Sequence, residues 1–205
     1  MAKGVLITFE GGEAVGKSTQ IALLSKALQK LGYKIHLARE PGGTKLGEEL
    51  RDMIKTKEMS HRTELLLFEA SRAELCHSVI RPRLKAGEII LCDRFAESSL
   101  VYQGASRGIP EKEVTFANEL ATNGVKSDFI VLLNGSDAKT RLQNRKTKDR
   151  IELEKDSFHR RVAAGYLKLA KRDKRFHLYS ANLDRQVIHK MILKDVLKLI
   201  KRKSV

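Results

Sequence analysis

The sequence predicts an α/β protein built on a five-stranded parallel sheet with helices on both faces. Three observations carry that expectation. Short apolar, β-branched runs alternate along the chain with amphipathic stretches of helical period. The first run, Val5–Phe9, opens into a glycine-rich turn and then directly into a helix. The remaining runs are short and nearly continuous in apolar residues, the pattern of strands buried on both faces. The 205 residues suffice for one sizeable core, read as a single domain over 1–205 with a short mobile insert at 139–155.

The elements follow in order. Strands are expected at Val5–Phe9, Lys34–Ala38, Ile89–Cys92, Phe129–Leu133 and Phe176–Tyr179. Helices are expected at Lys17–Leu31, Leu46–Lys55, Thr63–Ile80, Glu111–Thr122, Ala138–Arg145, Asp156–Lys171 and Arg185–Ile200. The first carries Ile21, Leu24, Leu28 and Leu31 on one face; the last carries Ile188, Ile192, Val196 and Leu199. In such sheets ligands gather at the carboxyl ends of the strands. Those ends hold Arg39-Glu40-Pro41-Gly42-Gly43 after the second strand and Asp93-Arg94-Phe95 after the third. Lys139 to Arg150, after the fourth, is basic and short of apolar anchors, as a flap would be.

Composition narrows the classes of function. Apolar residues make up 41%, and no run approaches the roughly 18 residues of a membrane span. Met1 to Gly4 leads straight into a strand, so no leader peptide is expected and the protein is read as cytoplasmic. Cys76 and Cys92 both lie among apolar residues and read as reduced core thiols, with neither a disulfide framework nor a zinc site. The net charge is +15, and Lys139 to Arg175 alone holds 14 Lys/Arg against 5 Asp/Glu. Such a field attracts nucleotide phosphates as well as nucleic acid. With no Trp and 5% aromatics, there is no basic aromatic sheet for stacking bases, and no stable nucleic-acid partner is expected.

Gly11 to Ser18 matches G-x-x-x-x-G-K-[ST], the phosphate-binding P-loop. Gly11, Gly12, Glu13, Ala14, Val15 and Gly16 would turn their backbone N–H groups inward, and the helix opened by Lys17, Ser18 and Thr19 would add its positive dipole end. Lys17 would reach the β- and γ-phosphates, and Ser18 would ligate Mg²⁺. Asp93, after Ile89-Ile90-Leu91-Cys92, sits where an acid would reach the metal shell; a helix N-cap is its alternative reading. Phosphoryl transfer needs alignment, metal and positive charge. If the acceptor is itself a phosphate, its oxygen is already an anion and no protein base is required. Arg39, Arg51, Arg72 and Arg94 come from separate elements that converge on the same sheet edge. Each alone would read as a surface salt bridge. Phe68 and Arg72 share a helix face and would serve a nucleobase by stacking and donation; a core Phe beside a solvated Arg is the alternative.

The segments EGGEAVGKST, REPGGT, LLLFEASRAE and DRFAESSLVYQG, with RGI beyond, resemble together and in order the signatures of the thymidylate kinase family of P-loop nucleoside monophosphate kinases. The resemblance runs from Val5 to about Asp173. It implies ATP-dependent phosphorylation of dTMP to dTDP with Mg²⁺, and a homodimer; Thr63–Ile80, apolar beyond one face, reads equally as an interface helix or as a helix buried in its own core. It implies that Phe68 stacks on thymine, that Arg72 donates to a thymine carbonyl, and that Ser99 and Gln103 lie near the base edge. Tyr102 resembles the residue that closes the sugar site against a 2′-hydroxyl. Arg39, Arg51 and Arg94 resemble the monophosphate clamp, with Arg94 bridging towards the transferred group. Glu13 matches the acidic position near the sugar 3′-hydroxyl and the metal, and Arg141 the arginine that packs on adenine. Ala14 stands where some members, including the eukaryotic type, carry an arginine. The chain therefore resembles the bacterial branch, in which the flap supplies the catalytic charge; Arg145, Lys146, Lys148 and Arg150 are the candidates, with Arg145 and Arg150 favoured. Other classes find less support. Phosphate-clamp arginines disfavour a kinase acting on a neutral nucleoside. A GTPase switch would need Asn-Lys-x-Asp and D-x-x-G motifs, which the sequence lacks. A nucleic-acid-dependent ATPase rests on charge alone.

Overall fold

The structure is a computed structural model that describes residues 4–135 and 147–203. Five strands, β1 (Val5–Glu10), β2 (Ile35–Arg39), β3 (Ile89–Asp93), β4 (Phe129–Asn134) and β5 (Phe176–Ser180), form one parallel sheet in the order β2-β3-β1-β4-β5. The helices are α1 (Lys17–Lys30), α2 (Lys45–Thr56), α3 (His61–Leu75), α4 (Arg81–Lys85), α5 (Ala96–Ser99), α6 (Glu111–Thr122), α7 (Asp156–Arg172) and α8 (Arg185–Lys203). π-helical turns at Cys76–Ile80 and Leu100–Ser106 continue α3 and α5. Thr63–Ile80 is thus a helix that changes winding at Cys76. The expected helix Ala138–Arg145 lies outside the described residues.

Apolar periodicity explains the layering. Ile7 and Phe9 of β1 and Leu91 of β3 pack with Ile21, Leu24 and Leu28 of α1 and Ile188, Ile192 and Val196 of α8 on one face. Leu6, Ile90 and Cys92 pack with Leu75, Cys76 and Ile80 on the other. Leu31 lies just past the end of α1 and is exposed, so its place on the buried stripe is corrected. Ile200 is buried with the α8 stripe, beyond the expected Leu199. Cys76 and Cys92 are free, buried thiols, and burial pushes Cys76 up to about 12. No helix among the described residues is long and apolar enough to cross a membrane.

All five strands run one residue further than their apolar runs. Glu10, Arg39, Asp93, Asn134 and Ser180 are therefore held in the sheet at its carboxyl edge. Glu10 fastens the neighbouring turn. Its Oε1 accepts from the Phe95 N–H at 2.7 Å, and its Oε2 accepts from Ser98 Oγ and Tyr166 Oη, each at 2.7 Å. The side chain is fully buried. Burial and the neighbouring Glu97 push its carboxyl up to about 7, against the pull of Arg94 and the hydrogen bonds from Tyr166 and Ser98. The folded state therefore favours the protonated acid, and the stability this contributes is lost as pH rises from 4.5 to about 7. Glu10→Gln imitates the protonated acid in shape. Over that window wild type should lose stability relative to the variant, by on the order of 3 kcal/mol. Urea unfolding of both proteins across the window measures this; parallel curves would contradict it.

Candidate active site

The turn after β1 carries the strongest constraints on backbone shape. Gly11 has φ +134°, and a Cβ there would lie 2.3 Å from the Leu133 carbonyl oxygen, so only glycine lets the turn cross the end of β4. Gly16, at φ +99°, caps α1 with no side chain bonded to its first N–H groups. Those donors and the helix dipole face the turn, as an anion site requires. Lys17 lies across the turn. Its Nζ donates to the carbonyls of Gly12 at 2.8 Å and Gly11 at 3.3 Å. Burial, then Arg94, lowers the ammonium to about 8, and Glu13, Asp93 and Glu10 oppose them. Ser18 Oγ donates to Asp93 Oδ2 at 3.2 Å, which joins the start of α1 to the end of β3. Two hard oxygen donors beside this turn would suit Mg²⁺, which binds through few protein groups.

A cavity of about 870 Å³ runs from this turn over the carboxyl edge of the sheet. Lys17, Ser18 and Asp93 line one part, and Phe68, Tyr102 and Gln103 another. Arg94 joins the two. Its backbone is left-handed, with φ +69°, which turns the side chain back over the strand ends. Nη1 donates to the Gly11 carbonyl at 3.0 Å and Tyr166 Oη at 3.2 Å, and Nη2 donates to Glu13 Oε1 at 2.6 Å. The guanidinium also lies 4.8 Å from the centre of the Tyr102 ring, and Tyr102 Oη donates to the same Glu13 oxygen at 2.9 Å. Burial alone would raise the Glu13 carboxyl, but Arg94, Lys17 and Tyr102 outweigh it and hold the group at about 2. Glu13 is thus ionised and tied to Arg94, with Oε1 doubly engaged.

Arg39 and Arg51 line the same cavity. Arg39 pairs with Glu48 at 2.7 Å and is half exposed, while Arg51 donates to the Pro41 carbonyl at 2.7 Å. Burial, then Arg39, lowers Arg51, against the pull of Glu48, Asp149 and Asp93. Arg72 departs from both sequence readings of its environment: it is neither solvated nor on the cavity surface. It is 1% exposed behind the wall. It donates to Glu40, Glu69, Ser99 Oγ, Asn118 Oδ1 and the Phe95 carbonyl. Burial works against its charge, but Glu40 and Glu69 hold it firmly protonated. Ser99 Oγ also donates to Glu69.

Arg141, Arg145 and Lys146 lie outside the described residues. Lys148 lines the cavity. Arg150 faces the α2–α3 side, with Nε on the Ile54 carbonyl at 3.1 Å and Nη1 on Glu64 Oε2 at 2.7 Å. Sequence reasoning singled out neither Glu10, Glu64 nor Tyr166. Tyr166 continues the stripe of Phe158 and Val162 at four-residue spacing, a signal that was available. Glu10 and Glu64 stand among apolar residues with no spacing that marks them.

Residues 9–192 match the thymidylate kinase family. A protein described as thymidylate kinase from Exiguobacterium sibiricum is 40% identical over 207 residues, covering 98% of each chain. One of the same description from Bdellovibrio bacteriovorus is 46% identical over 177 residues, covering 82% of this chain and 83% of that one. The crystal structure of thymidylate kinase from Ehrlichia chaffeensis superposes with a TM-score of 0.79 at 30% identity, covering 95% of this chain and 99% of that one. Sequence, fold and the span of the match agree: the chain belongs to the thymidylate kinase family.

Proposed function

We propose that the protein transfers the γ-phosphoryl group of ATP to the 5′-phosphate of dTMP, giving ADP and dTDP. The observation that carries this reading is the single cavity, with an anion-binding turn at one part, an aromatic face at another and Arg94 joining them. A phosphate oxygen of dTMP attacks the γ-phosphorus as its bond to the β-phosphate oxygen breaks. That oxygen is anionic at neutral pH, so the protein's task is to hold two anions together. Arg39, Arg51 and Arg94 clamp the monophosphate, and Lys17 holds the β- and γ-phosphates. Ser18 and Asp93 would hold Mg²⁺, which would offset phosphate charge when bound.

Phe68 takes the base by stacking, with Gln103 and Ser99 at its edge. Arg72 reaches a thymine carbonyl by giving up one of its neutral partners, Ser99 or Asn118. Tyr102, fixed by Glu13, fills the space of a ribose 2′-hydroxyl and so favours the deoxy sugar. Residues 139–155 close as a lid, Arg141 packing on adenine and Arg145 or Arg150 adding charge at the moving phosphoryl group. Ala14 leaves that charge to the lid. Exposed Leu66 on α3, and Phe116 and Leu120 on α6, support a homodimer through that face. A cytoplasmic setting suits the free, buried thiols.

ADP release, followed with ATP and each monophosphate in turn, tests the reading. dTMP should give the highest kcat/KM, its ribo-analogue a much lower one, thymidine essentially none, and added DNA no change. Equal rates with all monophosphates, or a rate that needs DNA, would overturn it.

Lys17 gives a second expectation. Its free-state value of about 8 means that ATP, which favours the ammonium, must recruit a proton above that pH. ATP affinity should therefore fall from about pH 8 upward, by at most about tenfold per unit. Calorimetry in buffers of different ionisation enthalpy reads the proton uptake, which Lys17→Arg should abolish. Lys17→Ala should cost roughly 10²–10³-fold in kcat while leaving the fold intact. Absence of proton uptake in wild type, or near-normal turnover in Lys17→Ala, would contradict this account of Lys17.

A further inference from the structure

Glu64 lies on α3, 1% exposed, among more donors than a structural carboxylate needs. Its Oε1 accepts from Gln103 Nε2 at 2.9 Å and from Arg107 Nε at 3.2 Å. Its Oε2 accepts from Arg107 Nη2 at 3.2 Å and Arg150 Nη1 at 2.7 Å. Burial works to raise this carboxyl, but the bonds from Gln103, Arg107 and Arg150 hold it below the usual range. Glu64 is therefore an ion, and an ionised carboxylate only accepts hydrogen bonds.

That asymmetry fixes the neighbour. Gln103 lies on the π-helical turn, buried, and lines the cavity. Its amide has two unlike ends, an NH₂ that donates and an oxygen that accepts. Only the NH₂ end can face Glu64. The carbonyl end is then left for the cavity, and none of the described residues donates to Gln103 Oε1. Thymine and uracil carry a proton on N3, whereas cytosine carries a lone pair there. An oxygen facing that edge welcomes the first two and repels the third.

We propose that Glu64 is a positioning residue for base specificity: by admitting only the NH₂ end of Gln103, it presents the Gln103 carbonyl to the cavity and so selects a pyrimidine with an N3 proton over cytosine. This rests on the reading of the cavity as a dTMP site. Arg107, which bonds both Glu64 oxygens, acts through Glu64 by keeping it charged. Arg107 is itself held by Glu154 and lies 4.6 Å from the Phe158 ring centre, so the arrangement is braced from α7 as well.

The test is the ratio of kcat/KM for dTMP to that for dCMP in wild type, Glu64→Gln and Glu64→Asp. The glutamine offers an NH₂ as well as an oxygen, so nothing dictates which end of Gln103 faces inward. The aspartate is still only an acceptor. The ratio should fall about tenfold or more in Glu64→Gln, the scale of one misdirected hydrogen bond, and hold in Glu64→Asp even if both rates drop. Parallel loss for both substrates in Glu64→Gln, or equal narrowing in the two variants, would overturn the proposal. A wild type with no preference for dTMP would instead remove the underlying reading of the site. If Glu64→Gln fails to fold, the side-chain amide protons of Gln103 in wild type decide the matter by NMR. They should exchange slowly before dTMP is added and gain no new protection on binding. Protection that appears only with dTMP would mean that the NH₂ faces the base, and the proposal fails.

Discussion

Arg94 and Glu13 meet at 2.6 Å beside the end of β3 and the glycine-rich turn, and the rest of the site is arranged around that pair. Two charges taken out of water are costly unless each meets the other in good geometry. Arg94 reaches Glu13 only because its backbone accepts a left-handed conformation, and Glu10 holds the turn just beyond through the Phe95 N–H. Tyr102 then has its ring near the guanidinium and its hydroxyl on Glu13. Lys17 crosses the same turn, its charge weakened by burial and by Arg94. In the proposed reaction Lys17, Arg39, Arg51 and Arg94 meet the phosphates from four separate segments of the chain.

Acidic side chains behind the wall give the donors in front their orientation. Glu40 and Glu69 hold Arg72, Glu64 holds Gln103 and Arg107, and Glu10 holds Ser98 and Tyr166. Where the pair is ionic and buried, as for Arg72 with Glu69 or Arg107 with Glu64, removing one member typically costs about 3–5 kcal/mol, because its partner is left charged and unpaired. The strongly basic chain spends several of its acids here, under the cavity. In the proposed reaction this lets the arginines meet an incoming anion without first rearranging.

Much of this was legible in the sequence. Alternating apolar runs foretold the parallel sheet, and the glycine motif foretold a tight turn between β1 and α1, because both signals are local. Arg39 and Arg94 stand at strand ends, where this topology gathers ligands, whereas Arg51 reaches the cavity from α2. The supporting acids were not legible. Glu10 reads as the polar stop of an apolar run, and only its ladder pairing and the approach of Tyr166, 156 residues away, give it a role. Arg72 has the spacing of a surface pair with Phe68, yet its partners come from three further segments. The π-helical turn at Leu100–Ser106 rotates Tyr102 and Gln103 inward in a way that an ordinary helical period does not describe.

The central claim is that one continuous cavity holds donor and acceptor with their phosphates facing each other across Arg94. A molecule joining adenosine and thymidine 5′ to 5′ through five phosphates examines that claim most directly. Calorimetry and inhibition kinetics should show one molecule bound per chain, competition with both ATP and dTMP, and tighter binding than either nucleotide alone. Competition with only one substrate, or affinity no better than that of ATP, would mean that the two sites are not joined in this way.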